Sequence, residues 1–276
     1  MQSAVGGLGG GSAPPAPSGW TAQRFPTSYV LFLGFLTLVT AGIAAGAVWA
    51  FIDGQPGPGV LLGLGAVYIG HVVGLGYSVA GRSRRTGPSP TLTTGLRFRY
   101  SAGVYYWLTG MLVMTELAVA GLAVAGAASA TAAGIVLALA AAAAALAIGW
   151  FLVTMLRLAP GEVVLAPDGV HHRGLTFVHV VPWHTITSVS AEWVTTPAIV
   201  VRAAPSEDAQ VRRYTGRFGP AELRFLPFMV IRAYWLATNP ATVYQALAFY
   251  HAHPELRPEL ATQASLDRIS EGRTVT

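Results

Sequence analysis

The sequence predicts a membrane α-helical bundle of four transmembrane helices, followed by a cytoplasmic β-barrel or sandwich with a C-terminal helix. Three observations carry that expectation. Four apolar stretches of membrane-spanning length lie before residue 158. The residues after them alternate in short, strand-like runs. The chain is 53% hydrophobic and only 11% charged, against about a quarter charged in an ordinary soluble domain, so most of the deficit belongs in lipid.

Residues 1–27 are rich in Gly, Ser, Pro and Ala and almost uncharged. Such a stretch has too little apolar area to offset the entropy of ordering it, and it is expected as a disordered tail. Only Arg24 precedes the first apolar run. That run is about twice the length of a signal-peptide core, so it reads as an anchor.

The spans are expected at about 29–52, 60–80, 104–125 and 132–156 within a membrane domain of residues 28–157. Each supplies the ~20 residues that cross ~30 Å of hydrocarbon at 1.5 Å per residue. Arginine placement sets orientation. Arg24 precedes the first span, Arg82, Arg84, Arg85, Arg97 and Arg99 separate the second from the third, and Arg157 follows the fourth. The other two connections carry no basic residue. The positive-inside rule then puts both termini and the middle loop in the cytoplasm of a multi-pass inner-membrane protein.

Small residues mark where spans can approach. Gly59, Gly63, Gly70, Gly74 and Gly81 lie four and seven apart along one face of the second span, and Gly42 and Gly46 form a similar pair in the first. Gly42, Gly46, Gly63, Gly70 and Gly74 are therefore the expected helix-packing positions.

Two strongly polar groups sit near mid-membrane. His71 in the second span and Glu116 in the third fall at similar depth, and a carboxylate in lipid costs ~2.5–3.5 kcal/mol, so a partner is expected. The pair reads either as a proton-responsive or substrate-contacting site, or as a buried hydrogen bond that fixes helix register.

From Gly161 the pattern changes to strands. Glu162-Val-Val-Leu, an Asp168-Gly169 turn and Val170-His-His-Arg make a hairpin. Further strands follow at 175–183, 188–193 and 198–203, and near 210–215 and 226–236. Asn239 then caps a helix with Pro240 at its first position, and Val243, Leu247 and Tyr250 share one face. A polar C-terminal tail is expected at 256–276.

These residues carry a resemblance. Gly161-Glu-Val-Val-Leu, Asp168-Gly169-Val170, Val181-Pro-Trp183 with Ile186 and Val189, and the Asn239-Pro240 helix resemble bacterial pleckstrin-homology-like (PH-like) domains on membrane proteins. The resemblance spans about residues 158–255 and implies a PH-like barrel; it says little of function, because such folds host many roles. The basic loop with which eukaryotic relatives meet lipid headgroups is reduced here to His171, His172 and Arg173, so phosphoinositide binding is not carried over.

The densest basic stretch of the tail is Arg212, Arg213, Arg217 and Arg224, with Tyr214, Phe218 and Phe225 interleaved. It reads as a solvated strand edge or as a contact for anionic lipid or a partner; nucleic acid is not expected. The absence of cysteine excludes disulfides and thiol chemistry. His171, His172, His179, His184, His251 and His253 show no metal-ligand spacing, and no nucleophile elbow or phosphate loop is present. No metal, cofactor or catalytic residue is expected. The leading functional expectation is a non-enzymatic scaffold or protein-interaction module on the membrane. The alternatives are a small transporter or membrane enzyme using Glu116 and His71, or an anionic-lipid-binding module.

Overall fold

The structure, a computed structural model, describes Pro17, Trp20 and residues 27–81, 88–216 and 221–274. Four helices, α1 (Thr27–Ile52), α2 (Pro56–Gly81), α3 (Ala102–Ala128) and α4 (Ala132–Arg157), are each long and apolar enough to cross a membrane. Their ends follow local chemistry. Ser101 accepts from Val104 N at 3.3 Å to start α3, and Thr131 accepts from Gly134 N at 3.0 Å to start α4. Gly54, at φ +72°, turns the chain between α1 and α2.

The four helices expected from the sequence pack in chain order as an open row. α1 packs on α2, α2 on α3 and α3 on α4, with the middle seam the sparsest. Each hairpin closes through its short outer turn, whereas α2 and α3 are separated by a loop that folds into the other domain. Leu31, Phe35, Trp49, Leu61, Leu139, Leu146 and Trp150 are exposed on the row, as a lipid-facing surface requires.

That loop is the largest departure from the expected domain limits. Its strands β1 (Thr91–Leu92) and β2 (Leu96–Arg99) enter the same sheet as the tail strands β3 (Glu162–Leu165), β4 (Gly169–Arg173) and β5 (Phe177–Pro182). Three further strands, β6 (Ile186–Val194), β7 (Thr196–Ala203) and β8 (Gln210–Arg213), precede the last, β9 (Met229–Arg232). The sheets are ordered β1-β2-β3-β4-β5-β8 and β6-β7-β9, antiparallel throughout. Loop and tail are thus one β-domain at one end of the helical row. Gly95 is required at the join, because a Cβ there would collide with the Leu165 carbonyl.

One core serves both sheets. Leu96 and Phe98 of the loop, Val163, Leu165, Val170 and Val181 of the first sheet, and Ile199, Val201, Met229 and Ile231 of the second are fully buried together. Helix α5 (Pro240–Ala252) closes it with Val243, Leu247 and Tyr250, and Asn239 caps α5 by accepting from Ala241 N at 2.9 Å. Burying such side chains stabilises by ~1.5–3 kcal/mol each.

Two terminal segments also differ from expectation. Trp20, in the stretch expected to be disordered, is buried in this core; most of residues 1–26 lie outside the described residues. The polar tail from 256 forms a 3₁₀ segment (Pro254–Ala261) and α6 (Gln263–Ser270). Leu260 and Ser265 are fully buried, and Leu266 and Ile269 pack on the core. Sparse apolar residues at helical spacing suffice there because Arg268 and the Tyr250 hydroxyl, the latter at 2.8 Å, bond Glu259.

Candidate functional site

The intramembrane pair does not form. His71 lies at the α2–α3 seam: its Nδ1 is 2.8 Å from Val67 O, and its ring packs 5.2 Å from Trp107 and 5.6 Å from Tyr106. It crowds Gly110, where a Cβ would lie 2.6 Å from the imidazole. Glu116 lies at the α3–α4 seam, with Oε1 3.5 Å from the Cβ position of Gly149. Its Oε2 is buried with no hydrogen-bond partner among the described residues, as is Thr109 Oγ1. Six residues separate Gly110 from Glu116 on α3, which at 100° each turns them about 120° apart. The same six residues also set them about 9 Å apart along the helix axis, so the expected similarity of depth fails together with azimuth. In an open row, each seam keeps its own polar group.

The expected packing glycines divide. Gly74 receives the Trp107 ring, with a Cβ position 2.6 Å from it; Gly70 faces Thr40 at 3.8 Å and Gly46 faces Leu62 at 3.7 Å. Gly42 and Gly63 face open space. A tight backbone approach between helices lies elsewhere, where a Cβ on Gly134 would sit 2.6 Å from Gly126 O and one on Gly126 would sit 2.8 Å from Gly134 O. The Ala-rich composition of this helix pair hid it, since small residues recur at many positions there.

The strongest candidate site is the junction between the row and the β-domain. A cleft of about 380 Å³ is lined by Leu108 and Leu112 of α3, Phe151 of α4, and Tyr100, Leu175, Phe177, Glu222, Arg232, Tyr234 and Trp235 of the domain. A second groove of about 440 Å³ shares Leu112 and Phe151 and continues along Ala147, Ile148 and Trp150 to Thr215. Leu112 is ten residues into α3, about 15 Å from its start. The cleft therefore leads from the β-domain to a level about 15 Å along the apolar helices.

Its domain end is polar and fixed. Arg232, which is 9% exposed, donates through Nε to Glu222 Oε1 at 2.7 Å. Its Nη1 donates to Val194 O, Thr195 Oγ1 and Thr196 Oγ1 at 3.0–3.1 Å. Burial pushes Tyr234 up to about 12 and Tyr100 well above its ordinary value, so both stay neutral. Tyr100 stacks on Trp235, with centroids 5.5 Å apart and planes 9° apart. Behind it His172 Nε2 lies 2.6 Å from the Tyr100 hydroxyl. The cleft is an aromatic pocket with one neutralised ion pair in its wall.

Arg212, Arg213 and Arg224 of the expected basic stretch line neither groove, although Arg213 pairs across the sheet with Phe177 of the cleft. Arg212 and Arg213 are exposed on β8, an edge strand, and Arg212 sits 4.9 Å over the Tyr214 ring. Arg224 is exposed two residues after Glu222, beside Phe225 and Phe228, each 38% exposed. Arg217 lies outside the described residues. The remaining histidines are held apart: His171 by Asp168 at 3.3 Å, His184 by Asp208 at 3.4 Å, His251 by Ile186 O and His253 by Phe249 O. Sequence reasoning missed the cleft because its walls come from four separated segments. The one signal was aromatic clustering at Tyr100 and Tyr234-Trp235. Comparison with protein-family models, curated proteins and solved structures returned no match.

Proposed function

We propose that the protein is a non-enzymatic interaction module of the inner membrane, whose PH-like cytoplasmic domain binds an anionic membrane lipid at its own anchor. The observation that carries this reading is the junction cleft, with helix residues for one wall and domain residues for the other. An acyl chain would lie along Leu112, Phe151 and Ile148, and its headgroup would emerge at the domain end of the cleft, toward the exposed arginines of β8 and the segment after Glu222. Arg212, Arg213 and Arg224 would each contribute ~1 kcal/mol toward an anionic surface. Exposed Phe225 and Phe228 are suited to the interface, where aromatic side chains insert. The antiparallel strands closed by α5 support the PH-like reading of the domain.

The transporter or enzyme alternative loses its motive, since His71 and Glu116 occupy different seams. A protein-scaffold role is favoured by a separate feature, the seating of Trp20 in the domain.

The test is mass spectrometry of lipids retained by the full-length protein after mild detergent extraction. Anionic lipid should be enriched over the bulk membrane. Replacing Arg212, Arg213 and Arg224 together with Gln should remove the enrichment, and Leu112→Trp should displace the lipid by filling the groove. Retention of the same lipid profile by both variants would overturn the reading.

A further inference from the structure

Trp20 comes from none of the strands or helices that build the core, yet it is only 5% exposed. It is the one aromatic residue before Phe25, in a segment of Gly, Pro, Ala and Ser. Its main-chain N–H donates to Pro17 O at 2.9 Å, a turn that presents the indole. The ring N–H points at two main-chain acceptors, Ala198 O at 3.1 Å and Glu192 O at 3.2 Å. Those residues are cross-strand partners at the end of the β6–β7 hairpin. On the other side the indole lies 6.4 Å from the Tyr244 ring of α5, tilted by 54°.

This arrangement recognises an indole specifically. A purely apolar hole would accept Phe or Leu equally, but paired carbonyls aimed at the ring N–H reward tryptophan alone. A single large aromatic anchor on an otherwise featureless segment is also how peptide ligands gain most of their binding energy. Seven positions separate Trp20 from the start of α1. A tether that short keeps the local concentration of the anchor in the millimolar range, so modest intrinsic affinity fills the site.

We propose that the cleft between the β6–β7 hairpin and α5 is a peptide-docking site for tryptophan, occupied in cis by this chain's own N-terminal segment. Trp20 is the intramolecular ligand that fills the site, and the competitor in trans is the same tryptophan-bearing segment of a second copy of this chain. This surface is distinct from the junction cleft and does not depend on lipid binding there.

The test uses full-length protein in detergent micelles and a fluorescent peptide of residues 13–22, with a second peptide carrying Ala in place of Trp20. In anisotropy titrations the Trp peptide should bind the Trp20→Ala protein at least about tenfold more tightly than the wild type, whose site is filled. The Ala peptide should bind neither. Hydrogen exchange should rise around 192–198 and 240–247 in Trp20→Ala, and Trp20→Phe should fall between the two. Absent binding to Trp20→Ala, or equal binding to both proteins, would overturn the proposal. So would a Trp20→Ala protein whose β-domain no longer melts cooperatively, because Trp20 would then be an ordinary core residue.

Discussion

Tyr100 and His172 share a 2.6 Å hydrogen bond inside the seam where the loop between two spans joins the tail sheet. Tyr100 directly precedes Ser101, the cap of α3, and His172 lies in β4, one residue before its end. The bond thus ties the start of a membrane helix to the β-domain. His172 Nδ1 is buried without a partner, so Nε2 carries the ring's only hydrogen bond among the described residues.

Tyr100→Phe should keep the stack on Trp235 and lose this bond. Leaving a buried imidazole unpaired costs about 1–3 kcal/mol. A thermal melt of the detergent-solubilised variant should show the β-domain destabilised while the protein remains membrane-inserted. An unchanged midpoint would mean that the bond contributes nothing net.

Acidification should weaken the β-domain. Burial, with His179 close by, lowers His172 to about 3, and burial lowers His179 to about 4. The two are cross-strand partners. Below the unfolded value of about 6.5, the unfolded chain takes up protons that the native chain refuses, so stability falls with falling pH toward about 4. The slope is about 1.4 kcal/mol per pH unit for each histidine. Denaturation midpoints between about pH 7 and pH 5 should decline, and His179→Gln should reduce the decline. A flat profile would refute the neutral, buried assignment.

His71 and Glu116 should prove energetically independent. A double-mutant cycle of His71→Ala and Glu116→Gln should give a coupling below about 0.5 kcal/mol, as for residues that share no partner. Coupling well above that value would restore the pair.

Glycine substitutions should sort by seam. Gly126→Leu and Gly74→Leu force side chains into Gly134 O and Trp107, respectively, and overpacking of this kind costs about 1–3 kcal/mol. Gly42→Leu and Gly63→Leu meet nothing within 4 Å and should leave the melting midpoint within about 0.5 kcal/mol of the wild type. Loss of stability at Gly42 or Gly63 would reveal a helix contact outside this chain.

Much of the fold was legible. Hydropathy located the four helices, because crossing lipid demands a long apolar run. Alternation and the Asp168-Gly169 turn located the tail strands, and Asn239-Pro240 located α5 to the residue. The loop strands were not legible as part of the sheet. Leu96-Arg-Phe98-Arg alternates, but four residues of which two are arginines read equally well as a charged loop. Nor was Trp20, whose neighbours carry no pattern to place it.

The sequence by itself determined which segments are apolar enough for membrane, which alternate as strands and where the chain turns, since these follow from local composition and period. Tertiary structure decided what meets what. Azimuth and about 9 Å of rise along α3 separated His71 from Glu116, and antiparallel pairing carried residues 96–99 to a strand more than sixty residues away. The indole of Trp20 found carbonyls 172 and 178 residues distant. Periodicity fixes the face a residue occupies relative to its own helix or strand; only packing fixes what that face confronts.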